Sequence, residues 1–122
     1  MNTIAKQIYE ANKAKGFWDK ERNVGELLML VVSELGEAME AHRKGKFTQP
    51  LQLAWFFATL DKSHAIQEVF PDHIKDTFED EIADAIIRLL DLSAGLGIDI
   101  EGHIKAKLEY NKSRPYLHGK KY

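Results

Sequence analysis

Two acidic pairs interrupt two long apolar segments of this 122-residue chain. Glu34 and Glu37 follow the apolar run 27–32, and Glu81 and Asp84 precede the apolar run 85–87. In a helix, side chains three residues apart project from one face, one turn above the other. Because like charges held this close repel each other, burial requires a cation against them. The two segments therefore predict two helices, buried along much of their circumference, whose acids meet around a divalent metal.

Composition narrows the class of protein. A hydrophobic content of 44% and a charged content of 30% are typical of a globular domain and exclude disorder. The net charge of −2 does not indicate a nucleic-acid polymer or a membrane as a partner. Since the chain has no cysteine, disulfides, zinc–thiolate sites and thiol nucleophiles are excluded. Neither a signal peptide nor an apolar run of roughly 20 residues is present, so we expect a cytoplasmic protein. A chain of 122 residues has room for one core, so we expect a single domain over residues 1–122.

Helical periodicity runs through most of the chain, and no stretch alternates with the two-residue period of a strand. The fold class we predict is therefore all-α, a bundle of four to five helices. Asn23 caps one helix, Thr48 and Asp99 cap two others, and Pro71 marks a boundary. The tail after Pro115 is expected to be extended. The predicted helices cover residues 3–15, 24–44, 50–60 (an extension to 69 is left open), 74–96 and 100–113.

The acidic pairs have alternative interpretations. Glu34, Glu37 and Glu40 fit a solvated glutamate stripe. Asp84 fits a simple i, i+4 ion pair with Arg88. A di-iron bundle would need Glu-x-x-His, and the nearest approach is the Asp61–His64 spacing. An all-oxygen site instead indicates Mg²⁺, with Mn²⁺ as a possible substitute.

A basic face is predicted near the C-terminal end. Lys107, Asn111 and Arg114 have i, i+4, i+7 spacing, so they share one helix face. Side chains of this kind hold phosphate oxygens or a sugar hydroxyl, although a solvated basic face is the simpler interpretation.

These residues resemble a known family. The pairs Glu34-x-x-Glu37 and Glu81-x-x-Asp84 resemble the E-x-x-E, E-x-x-D signature of the MazG-like all-α nucleoside triphosphate pyrophosphohydrolases. The stretch 107–120 is similar to the K-x-x-Y-N-x-x-R-P-x-x-H-G-K ending of one MazG-like branch. The resemblance implies Mg²⁺-dependent hydrolysis between the α and β phosphates, which gives a monophosphate and pyrophosphate, and a role in nucleotide pool sanitation. It makes the four acids the catalytic and metal-binding residues, with Glu37 a candidate general base.

The resemblance also implies substrate contacts and assembly. It places Lys107, Asn111 and Arg114 on the triphosphate, and it gives Trp18 a base-stacking role, with a core or loop-anchoring role as the alternative. Family members are usually dimers or tetramers, so we expect a homo-oligomer that completes the bundle. Three tail residues would lie near the site: Tyr116, His118 and Lys120.

The chain departs from the compact members of the family between its two acidic pairs. A predicted helical insertion, residues 48–74, contains the aromatic run 55–57. The sequence leaves three roles open for this insertion: packing on the core, lining a base pocket or joining subunits. Two rival functions also stay open: a non-catalytic helical interaction module, and a narrower pyrophosphatase for dUTP or phosphoribosyl-ATP.

Overall fold

The computed structural model describes residues 1–62 and 64–122 and contains no strand in those ranges. The prediction of an all-α fold is therefore confirmed. A π-helical segment, Ala65–Ile74, precedes the fourth α-helix, and a short 3-10 turn, Tyr116–Gly119, follows the fifth. The α-helices are α1 (Asn2–Ala14), α2 (Val24–Arg43), α3 (Pro50–Ala58), α4 (Phe78–Gly95) and α5 (Ile100–Lys112). No helix among the described residues combines the length and the apolarity needed to cross a bilayer.

The chain divides into two compact units. One contains residues 1–21 and 90–122, and the other contains residues 22–89. Helix α4 contributes its first part to the second unit and its last part to the first. All four predicted metal ligands belong to the unit formed by residues 22–89. Its core is apolar and consists of Leu27, Val31, Ala38, Ala41, Ala65, Val69, Ile74 and Ala85.

Helix α2 begins as the sequence predicts. The Asn23 side chain accepts a hydrogen bond from the Glu26 backbone N–H at 2.9 Å, which satisfies one of the free donors at the helix start. The five buried residues of α2 recur at i, i+4, i+7, i+11 and i+14, so they form one stripe. Glu34 lies in the middle of this stripe, between Val31 and Ala38.

A second apolar stripe of α2 lies on the surface. Leu28, Val32, Leu35 and Met39 follow a four–three–four spacing, and each is at least 46% exposed. The prediction that α2 is buried along much of its circumference is therefore wrong for the single chain. One stripe fills the core, and the neighbouring stripe has no cover within the described residues.

The start of the insertion differs from the prediction. Gln49, not Thr48, is the N-cap of α3, and its N–H donates to the Gln52 side chain at 2.8 Å. Thr48 is instead engaged at long range. Its hydroxyl lies 2.6 Å from that of Thr77, and its N–H donates to the Glu79 carboxylate at 2.9 Å.

The boundary predicted at Pro71 is wrong, because the helical segment Ala65–Ile74 continues through it. Proline has no N–H for an α-helical hydrogen-bond ladder and clashes with the preceding turn. The chain winds past Pro71 in wider π-helical turns. Val69 and Ile74 of this segment are buried, and α3 packs against it. Of the roles left open for the insertion, packing on the core is the one observed.

The short turn that follows α2 is hydrogen-bonded to the first residue of α4. The Lys46 N–H donates to the Ala41 carbonyl at 2.9 Å, and the Lys46 carbonyl accepts from the Phe78 N–H at 2.8 Å. Gly45 allows this close turn because it adopts a positive φ of 68°. The acids of α2 and the first turns of α4 are thereby held side by side.

The tail is not uniformly extended. Leu117 and His118 both have a φ of 53°, in the left-handed region, and form a tight turn after Pro115. The Arg114 guanidinium donates to the His118 carbonyl at 3.4 Å. The expectation of an extended tail is therefore wrong at this turn.

Candidate metal centre

Three of the four predicted acids meet in the structure. Glu34, Glu81 and Asp84 each offer a carboxylate oxygen, and these oxygens lie within 4.8 Å of one another. Glu34 is 8% exposed and Glu81 is 5% exposed, while Asp84 is half-buried. Glu34 belongs to α2, and Glu81 and Asp84 belong to the first turns of α4. Because Glu34 is buried, the interpretation as a solvated glutamate stripe is wrong for this residue.

Arg88 provides the cation that a buried acidic pair requires. Its Nε donates to Glu34 Oε1 at 2.8 Å, and its side chain is 38% exposed. Arg88 lies one turn after Asp84 on α4, but its charge-assisted hydrogen bond goes to Glu34 on α2. The simple Asp84–Arg88 pair is therefore not the main contact of Arg88.

The carboxylate of Glu37, the fourth predicted acid, affects the ionisation of Glu81. Burial and, after it, hydrogen bonds with the Glu37 and Glu34 carboxylates together raise the pKa of Glu81 to about 7. Two carboxylates can share such a hydrogen bond only when one of them holds a proton. The Glu37 carboxylate therefore lies against the same cluster, although the Glu37 residue as a whole is exposed.

The neighbouring acids respond differently to the same surroundings. Burial is the largest single effect on Glu34 and opposes its ionisation, but the hydrogen bond and positive charge of Arg88, together with hydrogen bonds to Glu37 and Glu81, outweigh it and lower the pKa of Glu34. Burial raises the pKa of Asp84, and the negative charges of Asp80 and Glu34 add to the effect. The cluster thus combines one stabilised carboxylate with others that resist ionisation, a pattern that indicates too little positive charge.

The donor set fits a hard divalent cation. All candidate ligands are carboxylate oxygens, which Mg²⁺ and Mn²⁺ prefer. Glu81 Oε2 is buried and has no hydrogen-bond partner among the described residues. A buried carboxylate oxygen without a partner is costly unless a ligand satisfies it. Glu34, Glu37, Glu81 and Asp84 are therefore the residues that could hold a metal ion.

Trp18 is anchored within the unit formed by residues 1–21 and 90–122. Its indole N–H donates to the Asp91 carboxylate at 2.9 Å, and its ring centroid lies 5.4 Å from that of Tyr9. A Cβ at Gly95 would clash with the indole ring of Trp18, so only glycine allows this approach. These contacts are those of a loop-anchoring tryptophan, and base stacking stays a prediction.

The basic face on α5 is organised around Tyr110. The Lys107 ammonium lies 5.1 Å and the Arg114 guanidinium 5.6 Å from the Tyr110 ring centroid. Asn111 Oδ1 is buried and has no hydrogen-bond partner among the described residues. Tyr116, His118 and Lys120 are exposed. All of these residues belong to the unit that includes 90–122, and their triphosphate contacts stay predictions.

Sequence reasoning missed two parts of this region. It considered Arg88 only as a partner of Asp84, because periodicity on one helix gives no information about contacts across helices. The predicted set of ligands also left out Asp80, whereas Asp76, Asp80 and Glu81 offer oxygens within 4.8 Å of one another. The i, i+4 spacing of Asp80 and Asp84 is a signal that could have indicated a larger acidic group.

Comparison with known proteins adds no identification. No protein-family model matches the chain, and neither a curated protein nor a solved structure is significantly similar to it. Function must therefore be argued from the site itself.

Proposed function

We propose that the protein is a Mg²⁺-dependent nucleoside triphosphate pyrophosphohydrolase of the MazG-like kind. The observation that supports it most is the buried meeting of Glu34, Glu81 and Asp84, with Glu81 Oε2 lacking a partner. A helical interaction module needs no buried acids, and burying them without function lowers stability. The motif resemblance then selects triphosphate hydrolysis among metal-dependent reactions.

In the proposed reaction, water attacks the α-phosphorus, the bond to the oxygen bridging the α and β phosphates breaks, and pyrophosphate leaves. Bound Mg²⁺ would supply charge neutralisation on the phosphates. Glu37 is the acid best suited to take the proton of the water, because it reaches the cluster and remains exposed. Arg88 holds Glu34 in a fixed orientation through its hydrogen bond.

The insertion offers a place for the nucleobase. It lines a cavity of about 750 Å³ together with Glu79, Asp80 and Ala83 of α4. Phe47 and Phe70 form apolar walls of this cavity, and its size is in the range of sites for small organic ligands. Since Asp80 also reaches Glu81, the cavity begins beside the acid cluster. Trp18 remains the alternative base contact that the family resemblance implies.

A nucleotide panel tests the proposal. Metal-free protein is given Mg²⁺ with each common ribo- and deoxyribonucleoside triphosphate, with dUTP and with phosphoribosyl-ATP, and the products are identified by phosphorus NMR. We expect nucleoside monophosphate and pyrophosphate in equal amounts, and none without Mg²⁺. A sharp preference for dUTP or for phosphoribosyl-ATP would establish the narrower pyrophosphatase instead. If no nucleotide reacts, the interaction module becomes the better account.

A homo-oligomer is the second part of the proposal. The exposed stripe Leu28, Val32, Leu35 and Met39 has the spacing of a helix–helix seam. Exposed apolar stripes of this length are typical of surfaces that bind another chain. A second copy can cover the stripe with the same stripe of its own α2, as in a two-fold dimer.

Light scattering after gel filtration tests this assembly. We expect wild type to have the mass of at least two chains. The double variant Leu28→Lys, Val32→Lys should be monomeric, because two desolvated ammonium groups oppose the seam. Leu51→Lys is the matched control, since Leu51 is 83% exposed and lies outside α2. A monomeric wild type, or an oligomeric double variant, would contradict the assembly.

A further inference from the structure

The cavity of about 750 Å³ between the insertion and α4 carries charge of one sign. Its charged lining residues are Glu79 and Asp80, and its described lining includes no lysine, arginine or histidine. The other polar side chains of the lining, Thr48 and Gln49, are neutral. The charged part of the lining therefore offers hydrogen-bond acceptors without a cation.

Backbone N–H groups hold both carboxylates in place. Glu79 Oε2 accepts the Thr48 N–H at 2.9 Å. Asp80 Oδ2 accepts the Asp76 N–H at 2.9 Å. The second oxygen of each carboxylate makes no hydrogen bond to the described residues, so each acid keeps one acceptor for a ligand. Glu79 and Asp80 are consecutive residues in the first turn of α4, and this places the two acceptors on the same part of the cavity lining.

The two aromatic walls of the cavity are supported by other rings. The Phe47 ring centroid lies 6.0 Å from that of Phe78 and 5.5 Å from that of His42. The Phe70 ring centroid lies 5.6 Å from that of Phe56. Rings supported in this way suit a planar aromatic ligand, since aromatic groups pack favourably face to face with an offset or edge to face. The lining therefore combines aromatic walls with an edge of acceptors.

We propose that this cavity recognises guanine, so that the substrate is a guanine nucleoside triphosphate. Guanine carries two neighbouring donors on one edge, the N1–H and the 2-amino group. Adenine and cytosine have an acceptor nitrogen beside their amino group, and uracil and thymine have one N–H between two carbonyls. An ionised carboxylate only accepts hydrogen bonds, so acidic side chains pair with both donors of guanine and meet an acceptor on every other base. The role of guanine in catalysis rests on the proposed function, but its binding does not.

Nucleoside binding tests the recognition without any hydrolysis. Saturation-transfer NMR on the full chain with Mg²⁺ compares guanosine with inosine, adenosine, cytidine and uridine. Inosine is the most informative of these, because it lacks only the 2-amino group of guanosine. We expect guanosine to bind more tightly than each of the others by about tenfold or more, the effect of one charge-assisted hydrogen bond. A smaller difference for any of them, or no binding of guanosine, would overturn the proposal.

Glu79→Gln tests the acidic edge. Glutamine keeps an acceptor oxygen for the Thr48 N–H but removes the charge that faces the base, so guanosine should bind about tenfold more weakly than it does to wild type. Glu68→Gln is the matched control, since Glu68 is an exposed glutamate that does not line the cavity. It should bind guanosine like wild type. Unchanged affinity in Glu79→Gln would overturn recognition by this carboxylate.

Ala83→Phe tests the location. Ala83 lines the cavity and is exposed, so the larger side chain should fill the space without disturbing the core and should abolish guanosine binding. Ala54→Phe is the matched control, because Ala54 is an exposed alanine of α3 outside the lining. Guanosine binding that survives in Ala83→Phe would place the base elsewhere and overturn the proposal.

The nucleotide panel separates this inference from the proposed function. Selective guanosine binding in a protein that hydrolyses no triphosphate would refute the proposed function alone. Hydrolysis without selective guanosine binding would leave the proposed function standing and overturn guanine recognition. Selective guanosine binding combined with hydrolysis of triphosphates other than GTP and dGTP would overturn guanine as the base of the substrate.

Discussion

Glu81→Gln should abolish Mg²⁺-dependent hydrolysis and at the same time make the metal-free protein more stable at pH 8. Glu81 is 5% exposed and lies against Glu34, Glu37 and Asp84. Without a metal, its charge is buried among like charges. Glutamine has the same shape as the protonated acid and removes that charge. We expect a gain on the order of 2 kcal/mol in the free energy of unfolding and a loss of activity of more than about 100-fold.

The pH dependence of stability checks the cause. The pKa of Glu81 is about 7 in the folded protein, against an ordinary value of 4.5. Between these values the folded state binds more protons than the unfolded state, so stability falls as pH rises from about 4.5 to about 7. Below that window the contribution is fully present. Denaturation of wild type in chelator should follow this fall, and Glu81→Gln should flatten it.

Glu68→Gln is the control for this experiment, because Glu68 is exposed and lies outside the cluster. It should change neither activity nor the pH profile. A metal-free Glu81→Gln that is less stable than wild type at pH 8 would contradict the buried charge. Retained hydrolysis would remove Glu81 from the metal centre.

Arg88→Met should destabilise the metal-free protein on the order of 2 kcal/mol. The change removes the 2.8 Å hydrogen bond to Glu34 and leaves that acid buried without a cation. Breaking a buried ion pair from one side costs more than the pair contributes, but Arg88 is 38% exposed, so solvent reduces the effect. Urea denaturation in chelator measures the loss. Saturating Mg²⁺ should restore part of it, since a bound cation also compensates Glu34.

A double variant separates this explanation from lost packing. Glu34→Gln added to Arg88→Met removes the acid that was left unpaired, so most of the stability should return. Arg43→Met, at the exposed end of α2, is the control for removing an arginine and should cost little. If the double variant is less stable than Arg88→Met alone, Arg88 acts mainly through packing.

Local patterns predicted the helices well where capping and periodicity agreed. Asn23 begins α2 as expected, and Asp99 caps α5 by accepting the Gly102 N–H at 2.9 Å. The placement of each acidic pair on a single helix face also followed from local spacing. The single-domain prediction and the substrate contacts stay predictions.

Long-range contacts account for what the sequence did not predict. Threonine is a common N-cap residue, but the hydroxyl and N–H of Thr48 form hydrogen bonds with Thr77 and Glu79. The N-cap of α3 is therefore the next residue, Gln49. Pro71 interrupts an α-helical pattern, but a π-helical segment continues through it. Partner choice for Arg88 depends on which helix faces α4, and a single sequence does not contain that information.

The Arg88–Glu34 pair has a consequence for the order of events during biosynthesis. A buried cluster of acids with no internal cation would make folding depend on metal binding, as in small zinc domains that stay unfolded until zinc binds. Here an internal guanidinium neutralises one of the buried acids from the start. The chain can therefore fold before it takes up the Mg²⁺ that we propose for this site.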